Sequence, residues 1–171
     1  MKFFANIRVL LIGLWLGAAC FFSFAVAPSA FAVLPSRELA GSIVSRTLAI
    51  VNISGLIIGL ILLVSSFVRQ VGANRLRLLS ERVLLVTFTL ACGVGQFVIA
   101  LWLGYIRLQI ARPIDELAPE DPLRIRFNDL HQYSVWTLLA AMLAALVLFF
   151  VMAQNSKKIE INENDVIKQN V

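Results

Sequence analysis

Four long stretches without Asp, Glu, Lys or Arg constrain this chain more than any other feature of its sequence. They cover residues 9–36, 47–68, 83–106 and 133–156. A helix of about 20 apolar residues crosses a hydrocarbon core of roughly 30 Å. Isolated strands would leave backbone groups without partners in lipid. The sequence therefore predicts an all-α membrane protein, a four-transmembrane-helix bundle.

The overall composition excludes a water-soluble fold. Hydrophobic residues make up 60% of the 171 residues and charged residues 15%, whereas a soluble domain has about 25% charged residues. The net charge is +5, but the Lys and Arg residues are spread over every connecting segment, as membrane-flanking anchors are. We therefore expect the lipid bilayer as partner and no nucleic acid.

Helix-start signals extend two of the spans beyond the bilayer. Ser36 is a suitable N-cap before an acidic first turn, and Asp121 followed by Pro122 is another. The predicted transmembrane domain is residues 1–154, with helices over about residues 9–34, 37–68, 83–106 and 122–153. The remaining residues, 155–171, are polar and charged, and we expect them to form a disordered cytoplasmic tail.

The first stretch has a second interpretation, as a signal peptide cleaved after residue 32. Lys2 and Arg8 precede an apolar run that ends in Ala-Phe-Ala, which fits the small-residue cleavage pattern. However, the run is longer than the roughly 7–15 residues of a signal core. Gly13 and Gly17 also form a small-xxx-small packing motif, which a discarded segment does not need. We therefore expect the first helix to be retained.

The distribution of Lys and Arg predicts the orientation. The N-terminus, the second connection and the tail together have nine such residues, whereas the first and third connections have six. Cytoplasmic segments carry an excess of Lys and Arg. We therefore predict that both termini are cytoplasmic and that the protein is integral to the bacterial inner (plasma) membrane.

Small and polar residues at helical spacing indicate how the helices pack. Close backbone approach at small residues drives helix association in lipid, and the predicted packing positions are Gly13, Gly17, Gly55, Gly59 and Gly93.

Two amides lie at membrane depth, Asn52 and Gln96. They should point inward, because an amide without partners in hydrocarbon costs several kcal/mol. Each is predicted either to bond another helix or to contact a ligand. No charged residue lies deep in a span, which disfavours ion-coupled transport.

The start of the fourth helix has a polar face, because Arg124, Asn128 and His131 follow spacings of 4 and 3. We take Arg126, His131 and Ser134 as candidate binding residues. A structural hydrogen bond or an interfacial anchor is the alternative for His131, and an axial bond to a tetrapyrrole is a third. One histidine cannot form a three-ligand zinc site, so no metal and no cofactor are predicted.

Enzyme signatures such as G-x-S-x-G, H-E-x-x-H or a phosphate loop do not occur in the sequence. We therefore expect a non-enzymatic protein of one of two classes. The first is a small solute transporter or permeation-type protein that uses Asn52, Gln96 and a mouth near His131. The second is a structural or accessory subunit whose small-residue faces dock a membrane-protein partner or a second copy.

Two groups of residues resemble a known family. The first begins with Gly17 through Phe24 and continues with Pro28, Phe31, Leu34, Pro35, Gly41 and Arg46. The second is Arg126-Phe127-x-x-Leu130-His131-x-x-Ser134. Both are similar to the transmembrane protein 205-like family of small four-helix membrane proteins, from about Leu10 to Phe150. The resemblance implies four spans and a role of unknown chemistry, with an association to tolerance of toxic metal compounds. The charged tail lies outside the family pattern.

Overall fold

The computed structural model describes residues 2–68, 75–110 and 114–169, and this part of the chain forms four long helices. We number them α1 (residues 2–33), α2 (Arg37–Val68), α3 (residues 75–109) and α4 (Pro122–Gln169). A short 3₁₀ turn, Ile114–Glu116, lies between α3 and α4. Two helices contain a π turn: α1 consists of Lys2–Phe21, the π turn Phe22–Val26 and Ala27–Val33, and α3 of Arg75–Val94, the π turn Gly95–Ile99 and Ala100–Gln109.

The predicted starts of α2 and α4 are confirmed, and each has a side-chain cap. The Ser36 hydroxyl accepts a hydrogen bond from the backbone N–H of Leu39 at 3.2 Å. The Asp121 carboxylate accepts one from Leu123 at 2.8 Å, with Pro122 in the first helical position. Such caps satisfy backbone donors that the first turn of a helix leaves without partners.

Other helix ends differ from the sequence expectation. α1 begins seven residues before position 9, at Lys2, and α3 begins at Arg75 rather than at residue 83. α4 continues to Gln169, through residues expected to be disordered. Lys, Arg, Glu and Gln are good helix formers, so a charge ends an apolar stretch without ending the helix. Residues 69–74, 111–113 and 170–171, which belong to the predicted connections and tail, lie outside the described part of the chain.

All four helices are long and apolar enough to span a membrane. The spans are Phe3–Val33, Arg37–Phe67, Leu78–Gln109 and Pro122–Gln154, with mean hydropathies between 2.2 and 2.6. Large exposed Leu, Ile, Val and Phe side chains cover the outside of the bundle, as expected for a lipid-facing surface. The chain is therefore an all-α, four-helix integral membrane protein, and four crossings place both termini on the same side.

Each helix packs against the next along the chain, and α4 packs back against α1. We call the end where α1 joins α2 and α3 joins α4 the loop end, and the opposite end the termini end. Large side chains of the diagonal helices meet in the centre. Trp15 of α1 packs edge-on against Phe88 of α3, with ring centroids 4.6 Å apart, and its indole N–H donates to the Val51 carbonyl at 2.9 Å.

Two glycines of α2 allow this central packing. A Cβ added to Gly55 would lie 2.5 Å from the Trp15 indole nitrogen and 2.6 Å from the Cys92 sulfur. A Cβ on Gly59 would overlap the Thr89 hydroxyl. Real Cβ atoms do not come this close to other atoms. α2 therefore approaches α1 and α3 this closely only because Gly55 and Gly59 have no side chain.

The other three predicted packing glycines differ in their surroundings. Gly13 faces Phe149 of α4, which a Cβ would approach to 3.2 Å, and Gly93 faces Leu56 at 3.6 Å. A Cβ on Gly17 would meet no atom within 4 Å. Gly17 therefore makes no close helix contact within the chain.

An ion pair lies inside the termini end of the bundle. The Arg8 guanidinium donates to the Glu81 carboxylate at 2.6 Å and to the Leu62 carbonyl at 3.4 Å, so that three helices meet at one side chain. Only 8% of the Arg8 side chain and 4% of the Glu81 side chain are exposed. This differs from the sequence expectation of no deep charge, because the helices extend beyond the uncharged stretches and bring both residues into the bundle.

Candidate binding cavity

A cavity of about 780 Å³ lies at the loop end of the bundle, between the last turns of α1 and α3 and the first turns of α2 and α4. Its volume falls within the roughly 300–1,000 Å³ of small-molecule sites. The side chains that line it are Phe31, Arg37, Glu38, Gly41, Ser42, Val44, Ser45, Leu48, Leu103, Arg107, Ile110, Ile114, Arg124, Phe127, Asn128, His131 and Ser134.

Helical spacing places these residues on common faces. On α4, the lining residues follow one another at steps of 3, 1, 3 and 3, so they form one stripe from Arg124 to Ser134. On α2, Arg37, Gly41 and Leu48 similarly follow one face from the cap inward. The caps at Ser36 and Asp121 fix where these helices start, and the packing of each helix in the bundle sets which face lines the cavity.

Arg107 contacts residues of both α2 and α4 in the cavity. Its guanidinium donates to the Ser45 hydroxyl at 3.4 Å and lies 5.4 Å from the centre of the Phe127 ring. A Cβ on Gly41 would come within 3.1 Å of it, so glycine leaves room for the guanidinium. Phe127 is in turn stacked on His131, with planes 4° apart and centroids separated by 6.5 Å. These four side chains and Gly41 form a connected wall.

The charged groups of the lining are mainly cationic. Three arginines and one glutamate line the cavity. Arg124 donates to the Leu117 carbonyl at 2.6 Å, and Glu38 attracts Arg107 electrostatically. Among the side chains that the structure describes, no carboxylate lies within 4 Å of Arg107 or Arg124. Of the described carboxylates, Glu38 therefore acts on Arg107 only from beyond 4 Å, and none pairs closely with either guanidinium.

The deeper part of the cavity is mostly apolar. Leu48 of α2 and Leu103 of α3 line it one turn further into the membrane than Ser45 and Arg107, and Ser134 adds one buried hydroxyl from α4. On α2 and α3, the charged residues thus lie nearer the loop than the apolar ones. This arrangement suits a ligand with a charged end and an apolar end.

Two buried amides lie beyond the apolar part of the cavity. Asn52, only 4% exposed, comes one helical turn after Leu48 and lies against Gly95, where a Cβ would come within 3.1 Å of its amide nitrogen. Gln96 belongs to the π turn of α3, and its side-chain oxygen is buried without a hydrogen-bond partner. Neither amide lines the cavity.

The predicted binding residues therefore occupy three different places. His131 and Ser134 line the cavity, Asn52 and Gln96 lie deeper in the bundle, and Arg126 is exposed outside the cavity. Sequence reasoning missed Arg107 and Glu38. Arg107 directly follows an uncharged stretch, which makes it look like an ordinary membrane anchor, and no sequence signal pairs it with α2.

The described residues contain no group of three His, Cys, Asp or Glu side chains that could bind a metal ion. Cys20 and Cys92 are free thiols, and Cys92 is buried in the core against α2.

Comparison with known proteins yields one family. The family described as Domain of unknown function (DUF4149) matches residues 10–111, which is more than half of the chain. The matched part covers most of α1, all of α2 and α3, and the cavity residues that they contribute. No curated protein and no solved structure matches the chain.

Proposed function

The chain belongs to the DUF4149 family, a domain of unknown function, and we propose that it binds an anionic solute in its loop-end cavity. In this proposal the protein is a non-enzymatic small solute transporter or permeation-type protein of the bacterial inner membrane, with both termini cytoplasmic. The observation that supports it most directly is the pair Arg107 and Arg124, which line the cavity with no carboxylate of the described residues within 4 Å.

The chemistry of these side chains favours anions. A guanidinium stays charged at any physiological pH and presents a planar set of donors that fits carboxylate and phosphate. Removing its charge from water without a counter-charge is costly. A bound anion would supply that counter-charge, and the hydroxyl of Ser45, which contacts Arg107, would add a donor beside it.

The packing of the rest of the bundle favours a binding cavity over an open channel. Between the cavity and the termini end, the centre is filled by Trp15 and Phe88 and closed by the Arg8–Glu81 pair. A solute in the cavity would reach the other side only if these layers separated. Buried ionisable groups in spanning helices commonly serve transport, which supports a role for this pair in such an opening.

Anion binding is tested with inorganic phosphate and acetate on the purified full-length protein, by isothermal titration calorimetry. Replacing Arg107 or Arg124 by Gln should weaken binding of whichever anion binds by about ten- to a hundredfold. The matched control is Arg126→Gln, on the same helix but outside the cavity. Equal affinities in all three variants would reject anion binding at these arginines. No binding of either anion by the wild type at millimolar concentration would reject a free solute anion as the ligand.

An accessory role in a larger complex is the second candidate. Gly17 and Gly104 would each accept a Cβ without meeting any atom of the chain within 4 Å, so two small-residue positions face outward. Close approach of another spanning helix needs such positions. Purification in mild detergent tests this role. It is supported if a stoichiometric partner copurifies, or if the wild type is a homo-oligomer and the Gly17→Leu variant is a monomer. The likeness to the transmembrane protein 205-like family stays a prediction from the sequence.

A further inference from the structure

We propose that the ligand of the cavity is a membrane phospholipid whose phosphate contacts Arg107 and Arg124. This inference rests on the proposed anion binding and specifies the ligand class. The shared chemistry is a phosphate group, which a bilayer lipid and a free solute phosphate could both supply. Three observations favour the lipid.

The first observation is the level of the arginines in the membrane. Trp102 and Tyr105 near the end of α3, and Tyr133 and Trp136 near the start of α4, are 59–62% exposed on the outside of the bundle. Exposed Trp and Tyr side chains gather at the membrane–water interface, at the depth of the lipid headgroups. Arg107 lies half a turn beyond Tyr105. The guanidinium layer of the cavity therefore lies at the depth of the lipid phosphates.

The second observation is the order of polar and apolar surfaces in the cavity. Arg107 and Arg124 line the part nearer the loop, whereas Leu48 and Leu103 line the part nearer the membrane interior, together with the hydroxyl of Ser134. A phospholipid has the same order, with its phosphate at the interface and its acyl chains inward. A hydrophilic anion such as inorganic phosphate would gain nothing from the apolar part.

The third observation is that the cavity wall is also part of the outer surface of the bundle. Phe31 lines the cavity and is 47% exposed near the end of α1. A cavity of about 780 Å³ can take a headgroup and the first carbons of the acyl chains. The remaining carbons would pass Phe31 and lie along the lipid-facing surface.

The test compares three probes on the purified full-length protein in detergent, by native mass spectrometry and by calorimetry. Dioleoyl phosphatidylglycerol has a phosphate and two acyl chains. Glycerol phosphate has the phosphate without the acyl chains, and dioleoylglycerol has the acyl chains without the phosphate. We expect the phospholipid to bind at least about tenfold more tightly than either partial probe. Arg107→Gln should weaken phospholipid binding about ten- to a hundredfold, and the control Arg126→Gln should leave it unchanged.

The outcomes separate this inference from the proposed function. If glycerol phosphate binds as tightly as the phospholipid, and Arg107→Gln loses this binding, the ligand is not a lipid but anion binding at the cavity still holds. Equal phospholipid binding by Arg107→Gln and Arg126→Gln would show lipid adsorbed to the outer surface, and the inference would fail. If neither phosphate probe binds the wild type, both proposals fail. Arg124→Gln serves as the second cavity variant if Arg107→Gln does not fold.

Discussion

Nη2 of Arg8 lies 2.6 Å from Oε1 of Glu81, and this contact joins the two diagonal helices α1 and α3 inside the termini end of the bundle. The remaining nitrogens of Arg8, Nε and Nη1, are buried without hydrogen-bond partners. The positive charge of Arg8 is thus balanced by one neighbouring carboxylate in a place that water does not reach. Buried charges of this kind are tolerated only while both partners are present.

Replacement of one partner of this pair should destabilise the bundle strongly. We expect Glu81→Gln and Arg8→Gln each to lower the free energy of unfolding by about 3–5 kcal/mol, because each removes one member of a buried, charged hydrogen bond. Thermal unfolding in detergent measures the effect. Glu116→Gln, an exposed carboxylate in the 3₁₀ turn, is the matched control and should stay within about ±0.5 kcal/mol.

The double variant Arg8→Met/Glu81→Leu tests the same pair differently. Apolar side chains of similar size need no counter-charge and no hydrogen-bond partner, so this variant should be more stable than either single Gln variant. A double variant as unstable as the single ones would contradict this account and indicate that shape complementarity, rather than charge, dominates at this position.

Alanine at Gly59 should destabilise the protein, whereas alanine at Gly104 should not. A Cβ on Gly59 would overlap the Thr89 hydroxyl, which is buried and donates to the Leu85 carbonyl. Overpacking of this kind costs about 1–3 kcal/mol. A Cβ on Gly104 meets no atom within 4 Å, and alanine is the better helix former. The unfolding temperature of Gly59→Ala should lie below the wild-type value, whereas that of Gly104→Ala should equal or exceed it.

The three tryptophans should respond differently to lipids with brominated acyl chains. Trp15 is 2% exposed, whereas Trp102 and Trp136 are 59% and 60% exposed. Fluorescence of a variant that keeps only Trp15 should be quenched little in brominated bilayers, and a variant that keeps only Trp102 should be quenched strongly. Strong quenching of Trp15 would show that this side chain faces lipid and would contradict the arrangement of α1 in the bundle.

A pair of topology reporters tests the orientation. The motive is the excess of Lys and Arg on the side of the termini, nine against six. A reporter fused after Val171 should report the cytoplasm, and one inserted between Pro113 and Pro119 should report the outside. The reverse pattern would reject the orientation, and reporters on the same side would contradict an even number of crossings.

The number of spans and the starts of α2 and α4 were predictable from the sequence. Missing charges define the spans, and the caps at Ser36 and Asp121 are local signals that act within three residues. The ion pair was not predictable, since Arg8 and Glu81 are 73 residues apart and each looks like a flanking charge. Which side chains meet in a bundle depends on the rotation of each helix, and apolar composition alone does not specify it.

The candidate site was predictable only on its α4 side. His131 and Ser134 follow from the polar face that starts the helix, because helical spacing determines that face. Arg126 comes two residues after Arg124 but faces away from the cavity, since two residues along a helix are about 200° apart. Arg107 contacts Ser45 across 62 residues, so its place in the cavity depends on tertiary packing.

The π turns of α1 and α3 have a consequence for how this protein can evolve. Each π turn, Phe22–Val26 and Gly95–Ile99, accommodates one more residue than the regular helical turn that it replaces. Loss of a single codon there would leave a regular helical turn, so the side chains on either side of it would keep the faces that they have now. The packed core and the lining of the cavity would both keep their contacts. These two turns are therefore places inside a span where an in-frame deletion of one residue can be tolerated, whereas indels elsewhere in a span are ordinarily selected against.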